Sequence, residues 1–200
     1  MPILSSSIIP WDLKNMDVCE LIASGSAAMN NTLDNAVAVD QGGGIVKIPC
    51  TGHGFVAGSM IGIRGSTNYD GTYEIIDDDP DSDSNAFTIY ATYVSEEFSG
   101  SETVRPELEP GVPFQVLEAR LHLSAVGGAA ENYVITLDSG HGSAFDIDLV
   151  TENMNAQADI DTDWTDTYHF FNDDDRLLFT YANSNGKTWG LEVKYAVAKP

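Results

Sequence analysis

Residues 117–123, LEARLHL, decide the fold class: Leu117, Ala119, Leu121 and Leu123 alternate with Glu118, Arg120 and His122. The same two-residue period returns downstream in Tyr133, Ile135 and Leu137, then in Phe145, Ile147 and Leu149. It returns again in Leu177, Phe179 and Tyr181, and in Trp189, Leu191, Val193, Tyr195 and Val197. Such alternation buries one face of a strand and wets the other, the signature of antiparallel sandwiches. Leu121, Ile135, Ile147, Phe179, Trp189 and Leu191 are the expected shared core. The fold class is all-β: an antiparallel, jelly-roll-like β-sandwich preceded by a small β-barrel or sandwich module, with an N-terminal arm.

Upstream, the strands shorten. Ile45, Val46 and Ile48 follow Gly42-Gly43-Gly44; Met60, Ile61 and Ile63 follow the Gly52-His53-Gly54 turn; Tyr73, Ile75 and Ile76 follow Asp70-Gly71; Phe87, Ile89 and Tyr93 follow an acidic loop. Strands spaced this closely between glycine turns indicate a small barrel or sandwich. Ser99–Pro113 holds three prolines and interrupts the pattern, because proline cannot extend a ladder. The organisation is therefore 1–40 docking arm, 41–105 small β-module, 106–113 linker and 114–200 sandwich. Within the arm, Met16–Ile22 has weak helical spacing and predicts at most a short helix.

The 200-residue chain is long enough to bury a core, and its 42% hydrophobic content argues against disorder. Its formal net charge of −22 comes from 31 acids against 9 Lys and Arg. A surface this negative repels phosphate backbones, so no direct nucleic-acid contact is expected. A halotolerant source, an exterior place in a large assembly, or plain solubility would each account for it. Cys19 and Cys50 lack the neighbours of a zinc site and read as free thiols or one disulfide. No secretory signal and no membrane-spanning run is legible, so synthesis and folding in a cytoplasm are expected.

Two stretches carry resemblances. TGHGFVAGSMIGIRGSTNYDGTYEI, continuing into NAFTIYATYV, resembles a β-module recurrent in structural proteins of tailed bacteriophages and similar to the FCCH domain of ubiquitin-activating enzymes. The likeness covers residues 43–94 and rests on His53, Gly54, Gly58, Asn68, Tyr69, Gly71 and Tyr73. It implies a fold and carries no ubiquitin chemistry. LEARLHLSA, NYVITLDS, DIDLVTENMN and YANSNGKTWGLEVKY, within residues 114–195, resemble a second phage-associated β-domain; the Asp-rich stretch 159–175 departs from that pattern. Together they imply a virion protein, made in the host cytoplasm, whose partners are other capsid or tail proteins and copies of itself.

Candidate chemistry is sparse. His53 and His141 lie in Gly-His-Gly turns, and His122 and His169 complete the histidines. Ser139 and Ser143 flank His141, but no Gly-x-Ser-x-Gly elbow exists, and GGGIVK lacks the order of a phosphate loop. No catalytic residue and no organic cofactor is expected. Asp77, Asp78, Asp79, Asp81 and Asp83, then Asp159, Asp161 and Asp163, then Asp173, Asp174 and Asp175, form acidic clusters. Asp79, Asp81, Asp83, Asp159, Asp161 and Asp163 are candidate ligands of a structural Ca²⁺, which favours several oxygens, although no EF-hand spacing occurs; solvated loops are the alternative. Trp164, Tyr168, Phe170 and Phe171 read as core and rim or as a sugar-stacking platform. Ile3, Leu4, Ile8, Ile9 and Trp11 are the candidate partner-docking residues, since an apolar terminal segment needs a covering surface. The expected function is an exterior head-decoration or fibre-like tail or vertex attachment protein acting by docking, with no membrane partner. A module binding host surface glycan and, behind it, a small glycan hydrolase are the alternatives.

Overall fold

The computed structural model describes residues 16–78, 80, 85–165 and 169–198. The strands are β1 (Met16–Gly25), β2 (Asn31–Thr32), β3 (Val39–Gly42), β4 (Ile45–Pro49), β5 (Met60–Arg64), β6 (Gly71–Asp77), β7 (Ala86–Tyr90) and β8 (Thr103–Arg105). They continue as β9 (Glu107–Leu108), β10 (Phe114–Leu123), β11 (Asn132–Asp138), β12 (Ile147–Asn153), β13 (Asp159–Asp163), β14 (Phe170–Phe171), β15 (Arg176–Thr180) and β16 (Trp189–Ala198). Every pairing is antiparallel. The protein is all-β, with no closed barrel among the described residues.

One sheet runs β1-β16-β10-β13, with β14 also on β10; a second runs β12-β11-β15-β9. Their inner faces form the sandwich core. Leu121, Ile135, Phe179, Trp189 and Leu191 are all buried, as the alternation requires. Ile147 is not: it is 54% exposed on β12, an edge strand that pairs only with β11 among the described residues. A register shift between Val116 and Glu118 changes the parity of β10. It buries Phe114 and Val116 and leaves Leu117 half-buried, the usual effect of a bulge on the faces of a strand.

Met16–Ile22 is not a helix. Residues 16–25 are a strand paired with β16 over its full length, from Met16 opposite Ala198 to Gly25 opposite Trp189. Val18, Leu21 and Ile22 have helical spacing, but an available sheet edge outweighs so weak a local preference. The arm expected to residue 40 therefore contributes a sandwich strand, and then β2 and β3. The segment expected as linker, 106–113, contains β9, which pairs Leu108 with Leu177. Its prolines flank that two-residue edge strand, where a missing N–H is tolerated.

The remaining sheet follows the order β2-β8-β5-β6-β7-β4-β3. β6 changes partner midway, pairing Gly71–Glu74 with β5 and Ile75 and Asp77 with β7. This module is thus an insertion between β1 and β9. The chain enters it at residues 26–30, where Ser26 N–H donates to the Gly54 carbonyl at 2.9 Å and Met29 N–H to that of Tyr181 at 2.9 Å. Gly54 has φ of 64°, and a Cβ there would stand 2.6 Å from Ala27, so the approach requires glycine. The chain leaves beside Glu107, which is fully buried and ion-paired with Arg64 from β5. One contiguous hydrophobic cluster spans the sandwich and the insertion.

Candidate docking face

The outer face of the β1-β16-β10-β13 sheet is built in cross-strand rows. Glu20, Lys194, Glu118 and Asp163 share one row; Ile22, Glu192, Arg120 and Asp161 the next; Ser24, Gly190, His122 and Asp159 the third. The cations lie on the two central strands and are held by acids around them. Arg120 pairs with Glu118 and stands 3.6 Å from Asp161 and 3.9 Å from Glu192. Lys194 reaches Glu192 at 2.9 Å and Glu118 at 3.2 Å. Its bonds to Glu192 and Glu118 hold the ammonium above its ordinary value, and Lys194 in turn holds the Glu192 carboxyl below its own.

Gly190 interrupts this lattice. Nothing stands within 4 Å of the position its Cβ would take. The gap opens a shallow concavity of about 450 Å³ walled by Ile22, Ser24, Arg120, His122, Asp159 and Glu192. The third row places hydroxyl, imidazole and carboxylate in sequence, and His122 Nδ1 meets Asp159 at 2.5 Å. Ser24, however, lies beyond Gly190, two strands from His122. Two strand spacings put their backbones about 9.5 Å apart, outside nucleophile–base reach. The row offers hydrogen bonds and charge to a ligand or partner, without the geometry of a hydrolytic triad.

The other histidines serve structure. His53 is buried between Phe55 and Phe87. Its Nδ1 accepts from Phe55 N–H at 3.1 Å, which puts the ring proton on Nε2, 3.1 Å from the Ala86 carbonyl. His141 packs edge-on to Phe145 in an exposed turn. His169 stacks on Phe171 and tilts over Trp164. Trp164 and Phe171 are buried, as core and rim residues would be; Phe170 is exposed, and Tyr168 lies outside the described residues. Cys19 and Cys50 are free thiols, and burial, with Asp34 nearby, pushes Cys50 up to about 12.

The acidic clusters divide. Asp79, Asp81 and Asp83 lie outside the described residues. Asp159, Asp161 and Asp163 point from β13 in a row rather than around one centre, engaged respectively by His122, Arg120 and Thr165. Among the described residues no group of His, Cys, Asp or Glu side chains is arranged to hold a metal ion. Asp175 instead closes a loop, accepting from Asn172 N–H at 2.8 Å and Gly140 N–H at 3.1 Å.

Several acids without special spacing do the same work. Glu102 accepts from the N–H groups of Ser99, Gly100 and Ser101. Glu96 accepts from those of Thr67 and Asn68, and Asp34 from Thr51. Part of the acid excess is therefore loop architecture, a carboxylate being the strongest acceptor for clustered backbone N–H groups. Ser99-Gly100-Ser101-Glu102 is the one local signal that could have revealed this. The candidate docking residues Ile3, Leu4, Ile8, Ile9 and Trp11 lie outside the described residues, which begin at Met16, the first residue of β1.

No protein-family model, curated protein or solved structure matches this chain.

Proposed function

We propose that the protein is a non-enzymatic structural component of a tailed-phage virion, placed outside the head or at a tail or vertex, that works by docking to other virion proteins and to its own copies. One observation carries the reading beyond the sequence resemblance. The first 15 residues hold Ile3, Leu4, Ile8, Ile9 and Trp11, with Asp12 and Lys14 as the only charged side chains. This neutral, apolar segment leads directly into an edge strand of an otherwise strongly acidic body. Apolar surface on such a segment gains stability only when a partner covers it, while the acidic body resists unspecific association. The test is mass spectrometry of purified particles with copy number per virion. On the order of hundreds of copies indicates head decoration, and about a dozen or fewer a tail or vertex position; absence from particles refutes the proposal.

A second reading, a module that binds host surface glycan, is favoured by the concavity at Gly190, where Arg120, His122 and Asp159 surround a shallow floor. Binding on a glycan array, lost on replacing Gly190 by Trp, would support it.

A further inference from the structure

β1 is ten residues long and, from Val18 to Ile22, β16 is its only strand partner among the described residues. Among the described residues, its other edge is occupied only at the Gly25 end. There Ser24 N–H donates to Ser59 Oγ at 3.0 Å, the Ser24 carbonyl accepts from Val56 N–H at 3.0 Å, and Gly25 bridges Phe55. The outward direction of the Ser24 backbone groups fixes that of the others by the two-residue period. Val18, Glu20 and Ile22 thus present N–H and C=O to the open edge, and Val18 and Ile22 are 61% and 52% exposed. Beside this edge lies a recess of about 120 Å³ lined by Leu21, Met60, Thr72, Leu108, Pro110 and Tyr195. A cavity of about 150 Å³ accommodates a benzene ring, so the recess takes one Leu or Ile side chain. An open row of backbone groups beside a side-chain pocket is the recognition pattern of strand addition.

We infer that this edge receives residues 1–15 of a second copy, which add as a strand along Val18–Ile22 and seat an aliphatic side chain in the recess. The inference rests on the docking reading above and names the site and its occupant. The occupant must be β-forming and uncharged, because Glu20 stands at the recess while Arg64 is already taken up by Glu107 and Glu109, and the strongly acidic body repels another acidic surface. Residues 1–15 supply Ile3, Leu4, Ile8 and Ile9 with no net side-chain charge. Fully extended, they reach about 50 Å, enough to cross to a neighbour. A fold-back onto the same β1 would have to reverse within Pro10–Asn15, which offers Pro10, Asp12 and Asn15 as turn residues but no glycine for a two-residue hairpin turn. The β3–β4 hairpin, in contrast, turns through Gly42, Gly43 and Gly44 at φ of 78°, 64° and 80°, the chemistry a tight reversal demands.

Full-length variants test this by complementation. Glu20→Pro removes an outward N–H without touching a bond to β16, a substitution edge strands tolerate; Ile22→Pro serves the same purpose if the first fails to fold, with circular dichroism as the check. Leu4→Asp with Ile8→Asp disables the arm and leaves the edge intact. By light scattering, wild type should exceed the 21.5 kDa monomer mass, and each variant alone should be monomeric. The equimolar mixture should form a heterodimer of about 43 kDa, since it pairs one intact arm with one intact edge. A mixture that stays monomeric, or a folded Glu20→Pro protein that assembles as wild type does, overturns the inference. A monomeric wild type whose first 15 residues become protease-sensitive only in the Glu20→Pro variant also overturns it, assigning the edge to the same chain. Particles that still incorporate the Glu20→Pro chain would leave the virion reading standing while the edge site fails.

Discussion

Replacing Asn183 should loosen the joint between β1 and the rest of the sandwich more than any surface substitution. Asn183 is 4% exposed and adopts a φ of 50°. Its Nδ2 donates to the carbonyls of Ser26 at 3.1 Å, Ala27 at 3.0 Å and Lys187 at 2.8 Å, and its Oδ1 accepts from Lys187 N–H at 2.8 Å. Asn183→Ala removes these bonds at about 1 kcal/mol each and orphans the Lys187 N–H. It also places a residue with no compensating side chain in the left-handed region, for about 1–2 kcal/mol. Two amide hydrogens and one accepting oxygen amount to about three full bonds, so with the backbone cost the expected loss is about 4–5 kcal/mol. Asn183→Gly should recover about 1 kcal/mol of it by relieving the backbone alone. Asn183→Asp should lose at least as much as Ala, since a carboxylate oxygen would then face three carbonyls. Urea unfolding with an unchanged m-value reads the differences directly. An Asn183→Ala protein within about 0.5 kcal/mol of wild type, or Asp tolerated as well as Asn, would refute the argument.

Two further perturbations address other groups. In Glu102 burial alone would raise the carboxyl, but the bonds from Ser99 and Ser101 outweigh it and hold it below its ordinary value; in Asp175 burial is likewise outweighed by the Asn172 and Gly140 N–H groups and the Ser139 hydroxyl. A carboxyl depressed in the folded state contributes stability that is complete above its unfolded pKa, about 4, and lost as pH falls toward the folded value. Thermal melts from pH 7 to pH 3 should therefore show a falling Tm in acid. Glu102→Gln with Asp175→Asn should lower the Tm at pH 7 and flatten that decline; an unchanged acid limb would show the stabilisation lies elsewhere. His53→Phe keeps the packing but orphans Phe55 N–H and the Ala86 carbonyl, at about 1–3 kcal/mol each; a chemical-denaturation loss below about 0.5 kcal/mol would dismiss His53 as a core tie.

The sandwich was legible because burial on one face is written at period two, and β10, β11, β15 and β16 each have a partner sheet to bury against. The alternation of Phe145, Ile147 and Leu149 looks identical in sequence, yet Phe145 ends a 3-10 turn ahead of the strand and Ile147, the first residue of edge strand β12, is exposed like it. Periodicity reports parity, and parity does not reveal whether a strand lies at an edge. β1 was hidden for the opposite reason. Its apolar positions fit a helix as well as a strand, and only the β16 edge, more than 160 residues away in sequence, decides between them. Of the candidate site, the residue types were legible and the neighbourhoods were not. His122 meets Asp159, and Gly190 opens the floor between His122 and Ser24, through registers that no local spacing encodes.

The pairing of β1 with β16 gives residues 1–15 a mechanical meaning within the docking reading. Met16 pairs with Ala198 and Gly25 with Trp189, so a pull on residues 1–15 directed along β1 is borne by the whole β1–β16 ladder. Bonds perpendicular to the strands are then loaded together in shear instead of parting one at a time. Trp189 Nε1 donates to the Ala27 carbonyl at 2.8 Å and Asn183 holds the Ser26 and Ala27 carbonyls, so the far end of β1 is anchored as well. The insertion is tied in just beyond, through Ser26 and Gly54 and through Arg64 and Glu107. A subunit held by its first 15 residues would pass that load into the central strands of the sandwich and not into a hinge. The same reasoning separates Asn183 from Glu20 in any assembly assay. Loss of Asn183 should weaken the subunit itself, whereas Glu20→Pro should leave its melting near wild type and remove only the contact between copies.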